Sequence, residues 1–482
     1  MNSKRIILAL ALPLCLTAAA QDTGGYENFR KQVLSDYGQF RRQVLDDYAQ
    51  FLDKAWKDYE TFRGKARFPD KPLHAPEAPN SDTTPFADVP SPQQPQPKPQ
   101  PETYVPPTPP VVSPSQPTIS FKFYTATVRA ASLTLPRLAS TNEHDVSKLW
   151  SSLQNDNVYR TAKPYIELLR TGLRLNDWLT VVLIRKYSDA IYKDDSNSSI
   201  LLSQYLLANM GYNVRLGRGR ERLLLLVAFR QEVFDRPYVE VDGSRYYVFG
   251  KDTGLYNGEG FGAISTCELP KNSSLGKAVN LVLENPALPS GLPNGSSGNF
   301  NVTDGTISVK GSVADVPLSV ATDYPQTDVP VYAASCLSQS FRKNILEQIA
   351  PQIAGLSEKD AVDRLLHFVQ YAFKYKTDTD QFGYEKPFFV EENFLYPYND
   401  CEDRAVLFAF LVRNLLHLDV HLLYYPNHEA TAVKFTDKNL RGDGYIYKDG
   451  SRYLICDPTF LGATAGMCMP QYEGTSAQVE LW

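Results

Sequence analysis

Apolar positions fall into three regimes along this chain. Residues 26–63 repeat every eleven positions: Tyr26, Tyr37, Tyr48 and Tyr59 align, as do Phe29, Phe40, Phe51 and Phe62, with Val33, Val44 and Ala55 between them. Steps of three, four and four sit close to the helical period, so the spacing predicts a long helix over 21–66 with one nearly straight apolar stripe. A stripe of that length needs a covering surface. Either the rest of the chain or a second copy supplies it, and self-association through residues 26–63 is the expectation. Over 67–118 the periodicity disappears, and Pro69 to Pro117 holds 17 of the 34 prolines. "SPQQPQPKPQPETYVPPTPP" lacks backbone donors and has fixed φ at many positions, which predicts an extended Pro-rich linker.

From residue 119 onward, alternation and helical spacing take over. "ISFKFYTATV" alternates like a strand. Helical patterns cover 145–153, 161–172, 176–193 and 199–211, and strands cover 223–229 and 238–249 around an Asp-Gly turn. The stretch 266–335 is rich in Gly, Asn, Ser and Pro and reads as a β-rich connector, with short strands at "TISVKGSV" and "PLSVATDY". The pattern then restarts: helices over 338–353 and 357–375, a loop, a helix over 401–416, strands over 419–425 and 428–435, and a hairpin over 444–457.

The restarted pattern duplicates an upstream stretch of the chain. "LLANMGYNVRLG" sits over "LVRNLLHLDVHLL", and "RLLLLVAF" (222–229) sits over "HEATAVKF" (428–435). The word DGSRY occurs twice in register, at Asp242–Tyr246 and Asp449–Tyr453. A duplicated α+β core follows, with copies at 119–265 and 336–482. The copies differ where chemistry would sit. Cys401 faces Asp195 or Ser196, depending on register; His428 faces Arg222; Asp457 faces Gly250.

Composition narrows the partners. The 482 residues carry a formal net charge of −5, with 43% hydrophobic and 21% charged residues, which are globular values with no footprint for nucleic acid. Lys4-Arg5, the apolar run Ile6 to Leu16, and Ala18-Ala19-Ala20 form a cleavable export signal over 1–20. Cys15 follows Leu14, where a lipid anchor requires a small residue. No later apolar run is long enough to span a bilayer. A secreted or periplasmic location follows. Five cysteines then remain, Cys267, Cys336, Cys401, Cys456 and Cys468, an odd number that leaves at least one thiol outside any intrachain disulfide. No Cys/His spacing suits zinc, and no metal or cofactor is expected.

Cys401, His428 and Asp457 have the chemistry of nucleophilic catalysis. A plain thiol is mostly protonated at neutral pH, and only its thiolate attacks a carbonyl efficiently. Cys401 opens a helix behind Asp400, with Asp403 three residues on as in a capping box. The helix start favours an anion and offers backbone N–H groups to an oxyanion. His428, beginning a strand, can take the thiol proton and return it to a leaving amine. Asp457, after the neighbouring strand, can hold the other ring nitrogen. Each has a bland alternative: a small buried cysteine, an ordinary histidine (His417 and His421 are neighbours), a turn aspartate. Asp400, Glu402 and Asp403 also place negative charge beside the sulfur.

"NDCEDRAVLFAFLVRNL", then His428 on the next strand, then "CDPTF" resembles the transglutaminase-like superfamily, a papain-like fold with a cysteine nucleophile. The likeness covers about 338–470 with specific motifs, and 119–250 as a scaffold without them. It implies a duplicated papain-like/transglutaminase-like core, Cys401 as nucleophile, His428 as general base and acid, and Asp457 as orienter. It implies acyl transfer through a thioester on a protein or peptide substrate, either hydrolysis or transfer to an amine that crosslinks a glutamine side chain. A binding or assembly protein with a relict site is the alternative from another class. The family histidine is often followed by a small residue and Trp; here Glu429-Ala430-Thr431 follows, so a different cleft is expected. For the family's upstream oxyanion side chain, Gln381 is a candidate against a plain loop role.

Overall fold

The computed structural model describes residues 117–234, 236–249, 264–269, 276–287, 298–313, 315–383 and 385–480. The export signal, the repeat helix and nearly all of the Pro-rich linker lie outside the described residues.

The first half opens with a hairpin, β1 (Thr118–Phe123) and β2 (Ala126–Ala131), where the sequence suggested one strand. The chain reverses at Tyr124, which takes φ 51°. Helices α1 (Glu143–Asn155), α2 (Val158–Gly172), α3 (Asp177–Tyr192) and α4 (Ser196–Asn209) follow. Then come β3 (Val214–Gly219), β4 (Arg222–Val227), β5 (Tyr238–Val241), β6 (Ser244–Val248) and β7 (Ile264–Thr266).

The second half starts with the hairpin β8 (Gly298–Thr303) and β9 (Ser308–Val313), followed by α5 (Asp315–Asp323) and α6 (Val329–Ala334). The expected strand "PLSVATDY" is therefore largely helix α5. Pro317 falls in its first turn, where a missing N–H costs nothing, whereas inside a sheet it would break the ladder. Next come α7 (Gln339–Ile353), α8 (Glu358–Ala372), β10 (Lys374–Tyr375), α9 (Asp378–Phe382), β11 (Tyr398–Asn399) and α10 (Cys401–Leu415). Strands β12 (Asp419–Tyr425), β13 (His428–Lys434), β14 (Tyr445–Lys448), β15 (Ser451–Cys456) and β16 (Gln478–Glu480) complete the chain.

The two large sheets share one plan. Their orders are β5-β6-β4-β3-β7 and β14-β15-β13-β12-β16, antiparallel throughout. Gly219 pairs with Arg222 across one hairpin, and Tyr425 with His428 across the other. Both DGSRY words form the same tight turn. Asp242 and Gly243 take φ 51° and 74°, Asp449 and Gly450 take 50° and 72°, and two successive positive φ values define the turn that matches strand twist. Each sheet is backed by one helix, α4 or α10, buried on nearly every side because its middle is mostly apolar, "ILLSQYLLA" and "AVLFAFLV", with Ser203 and Gln204 of α4 hydrogen-bonded to Ser199 O and Trp150 Nε1. Alternation along β12 sends Leu422 toward α10 and Leu423 to the opposite face. One continuous hydrophobic core runs through both halves, from Phe121 and Leu202 to Leu366 and Leu411. Bridges Val233–Thr327 and Glu284–Cys336 join them at backbone level.

Candidate active site

Cys401 is the first residue of α10, half-buried, after N-cap Asp400. The Asp403 half of the capping box is formed, with Asp400 N–H donating to Asp403 Oδ2 at 3.2 Å. The helix starts of the two halves align Asp195 with Asp400 and Ser196 with Cys401, the second of the two registers the sequence allowed. Arg222 and His428 both open the second strand of their hairpins. Gly250 lies outside the described residues.

His428 and Asp457 are buried and joined, Nε2 to Oδ2, at 2.8 Å. Asp457 is itself held: its Oδ1 accepts the N–H groups of Thr459 and Phe460 at 2.9 and 3.1 Å. Buried Gln370, on α8, donates to the carbonyls of Asp457, Phe460 and Ala463 at 3.1, 2.8 and 3.2 Å. With Asp457 on Nε2, proton exchange with a thiol falls to Nδ1. Helix α10 packs on β13, and the backbone N–H of Glu429, the residue after His428, acts to lower the Cys401 thiol pKa, which sets the start of α10 near the start of β13. Neither other candidate histidine is there. His417 follows the far end of α10, about 20 Å of helix away, and His421 packs against Tyr453 with ring centroids 4.8 Å apart.

The thiol is not activated by its surroundings at rest. Burial pushes the Cys401 thiol well above its usual range, and the Glu402 and Asp400 carboxylates push the same way; its S–H donates to Glu402 Oε2 at 3.1 Å. No disulfide forms among the described residues, and all five cysteines are free thiols.

Sequence reasoning drew only Gln381 and Asp400 from the segment 373–400, which ties polar groups to the start of α10. Asp403 Oδ1 accepts Phe388 N–H at 2.8 Å, Asp400 Oδ2 accepts Asp378 N–H at 3.2 Å, and Asp378 Oδ2 accepts Lys386 N–H at 2.5 Å. The Lys386 ammonium pairs with buried Glu392 among the rings of Phe382, Phe388 and Tyr396, 5.7, 4.9 and 5.1 Å from their centroids. Burial, reinforced by neighbouring carboxylates, holds Asp378, Asp400 and Asp403 well above the ordinary carboxyl range. Two overlapping groups, Asp378–Asp400–Asp403 and Asp378–Glu385–Glu402, bring carboxylate oxygens within 4.8 Å of one another, and Asp400 Oδ1 is buried without a hydrogen-bond partner. Oxygen-only donors suit a hard cation of the calcium or magnesium kind; otherwise protons must relieve the charge. The runs "FVEENF" and "NDCED" were the available signal, but only the fold brings them together. Gln381 sits on α9. Its Nε2 donates to Tyr398 O at 3.2 Å, as a loop-tying side chain does.

Searches against protein-family models, curated proteins and solved structures each find no match. No described helix is long and apolar enough to cross a membrane.

Proposed function

We propose that the chain is an exported cysteine-dependent acyl-transfer enzyme with a transglutaminase-like, papain-like core, hydrolysing a peptide or amide bond through a thioester. The observation that carries this reading is the buried His428–Asp457 bond of 2.8 Å beside a half-buried thiol at a helix start. A buried imidazole oriented by a carboxylate is costly scaffolding unless its proton is used. The first half keeps the sheet and helix but has Ser196 and Arg222 at the matching places.

In this reading the Cys401 Sγ proton passes to His428 Nδ1 as sulfur bonds to the substrate carbonyl carbon, and the carbonyl electron pair moves onto oxygen. The first N–H groups of α10 and the helix dipole receive that oxyanion. Collapse breaks the C–N bond, and His428 returns the proton to the leaving nitrogen. Water, deprotonated by His428, then attacks the thioester, releasing the acid and restoring the thiol. Asp457 keeps the Nε2–H tautomer throughout. Since the resting thiol is neutral, proton transfer accompanies attack instead of preceding it.

A peptidyl Michael acceptor, followed by digestion and mass spectrometry, tests the reading. The label is expected on Cys401 alone and in His428-dependent yield. Labelling spread over the other four cysteines, or a silent Cys401, overturns it.

A further inference from the structure

The segment after Asp457 returns across the outer face of the second sheet. Gly466 is tied by backbone on both sides, donating to Ile455 O and accepting from Gly444 N–H, each at 2.8 Å. The chain is tied again where β16 pairs with Leu422–Tyr424. Between these anchors, the N–H groups of Met467, Tyr472, Glu473 and Thr475 close onto carbonyls of the same segment. Side chains do the docking there: Met469 is buried, and Cys468 and Tyr472 pack on the cluster around Leu423 and Tyr425.

Tyr472 ends a single 3-10 turn, Pro470–Tyr472, and its hydroxyl donates to Pro426 O at 3.2 Å, in the hairpin turn just before His428. Its ring lies 8° from parallel to the His428 ring, with centroids 5.2 Å apart, and Tyr425 packs on it at 4.9 Å. Near-parallel planes at that separation are an offset stack. Burial pushes the Tyr472 phenol up to about 12.

One hydrogen bond at Nε2 fixes a point of the imidazole and leaves the ring able to turn about it. A face contact removes that rotation while leaving both ring nitrogens, which lie in the plane, clear to exchange protons. Nδ1 has to meet two partners in one turnover, first Sγ and then the leaving nitrogen, and both lie along that plane. We propose that Tyr472 is a positioning residue for His428, supplying the plane that Asp457 alone cannot hold. This rests on the acyl-transfer reading above.

The test uses the full chain as wild type, Tyr472→Phe, Tyr472→Leu and His428→Ala. One readout is the rate of Cys401 alkylation by iodoacetamide at fixed neutral pH. The other is the imidazole nitrogen spectrum of histidine-labelled protein, in which His428 is assigned by its loss in His428→Ala. Tyr472→Phe keeps the ring and is expected to stay within about twofold of wild type, with one sharp Nε2–H signature. Tyr472→Leu keeps bulk without a ring face; it is expected to slow alkylation about tenfold and to broaden or shift the His428 signal while circular dichroism stays unchanged. A Leu variant matching wild type in both readouts, or a Phe variant as impaired as Leu, overturns the positioning role alone. A wild-type rate that His428→Ala leaves untouched overturns the acyl-transfer reading and Tyr472's role with it.

Discussion

The two halves of this molecule share a five-stranded sheet, strand order, hairpin register and a buried helix behind the sheet, yet they join that helix differently. In the first half only residues 193–195 connect α3 to α4. In the second, residues 373–400 stand between α8 and α10, carrying Asp378, Glu385, Lys386, Glu392 and Asp400. The sheet accounts for where a cysteine, a histidine and an aspartate can meet. The inserted segment accounts for the electrostatics they meet in. Losing a site is then cheap in sequence, since Ser196 and Arg222 are exposed and disturb nothing in the shared framework.

The sharpest break in the comparison comes from removing the nucleophile. Cys401→Ala should abolish probe labelling and lower turnover by about 10⁴-fold or more, with little change in melting temperature, whereas Ser196→Ala should change neither. An intact labelling pattern in Cys401→Ala would place the reactive thiol elsewhere. Next in size is a transplant: Ser196→Cys with Arg222→His should give a thiol that alkylates at the rate of a plain cysteine, because the sequence has Gly250 where the second half has Asp457, leaving the new imidazole without a carboxylate to orient it. Fast, histidine-dependent alkylation of that variant would mean the sheet and helix suffice.

Stability separates the halves on a smaller scale. Asp403→Ala strands the buried N–H groups of Phe388 and Asp400 and should cost about 2–5 kcal/mol in urea unfolding. Asp195→Ala removes an ordinary helix cap, the acceptor of Ser198 N–H at 3.0 Å, and should cost about 1 kcal/mol. Equal losses would deny the inserted segment its special character. The smallest effect is a slope. Asp378, Asp400 and Asp403 bind protons more tightly folded than unfolded, so between the unfolded carboxyl range near about pH 4 and their raised values the folded chain retains protons the unfolded chain has lost. Stability should therefore fall as pH rises from 5 to 8 in the presence of chelator, and Asp400→Asn should flatten the fall. A melting temperature that climbs over that interval contradicts it.

What could be read beforehand was local. DGSRY announced its turn because Asp-Gly accepts two positive φ values, and "RLLLLVAF" and "HEATAVKF" announced strands by length and flanks. The helix start at Cys401 was legible from Asp400 and Asp403. Residues acting across distance were not. Asp378 and Lys386 reach α10 only through packing, Gln370 holds Asp457 from another helix, and Tyr472 meets His428 through a tail with no periodicity. "PLSVATDY" misled because so short an alternation as Leu318-Ser319-Val320 fits a strand and a short helix equally well, and Pro317 suits the first turn of a helix.

The uninterrupted core shared by the halves has a bearing on how this protein changed over time. A spare copy of a domain is usually free to be deleted. Here Leu202, Leu206 and Leu225 belong to the same packed mass as Leu366 and Leu411, so cutting the chain at the connector would expose apolar surface on both products. The first half can drift at exposed polar positions such as Ser196 and Arg222 and still fill the same volume. The first half is a buttress for the second, so trimming it would unsettle the half that carries Cys401, His428 and Asp457.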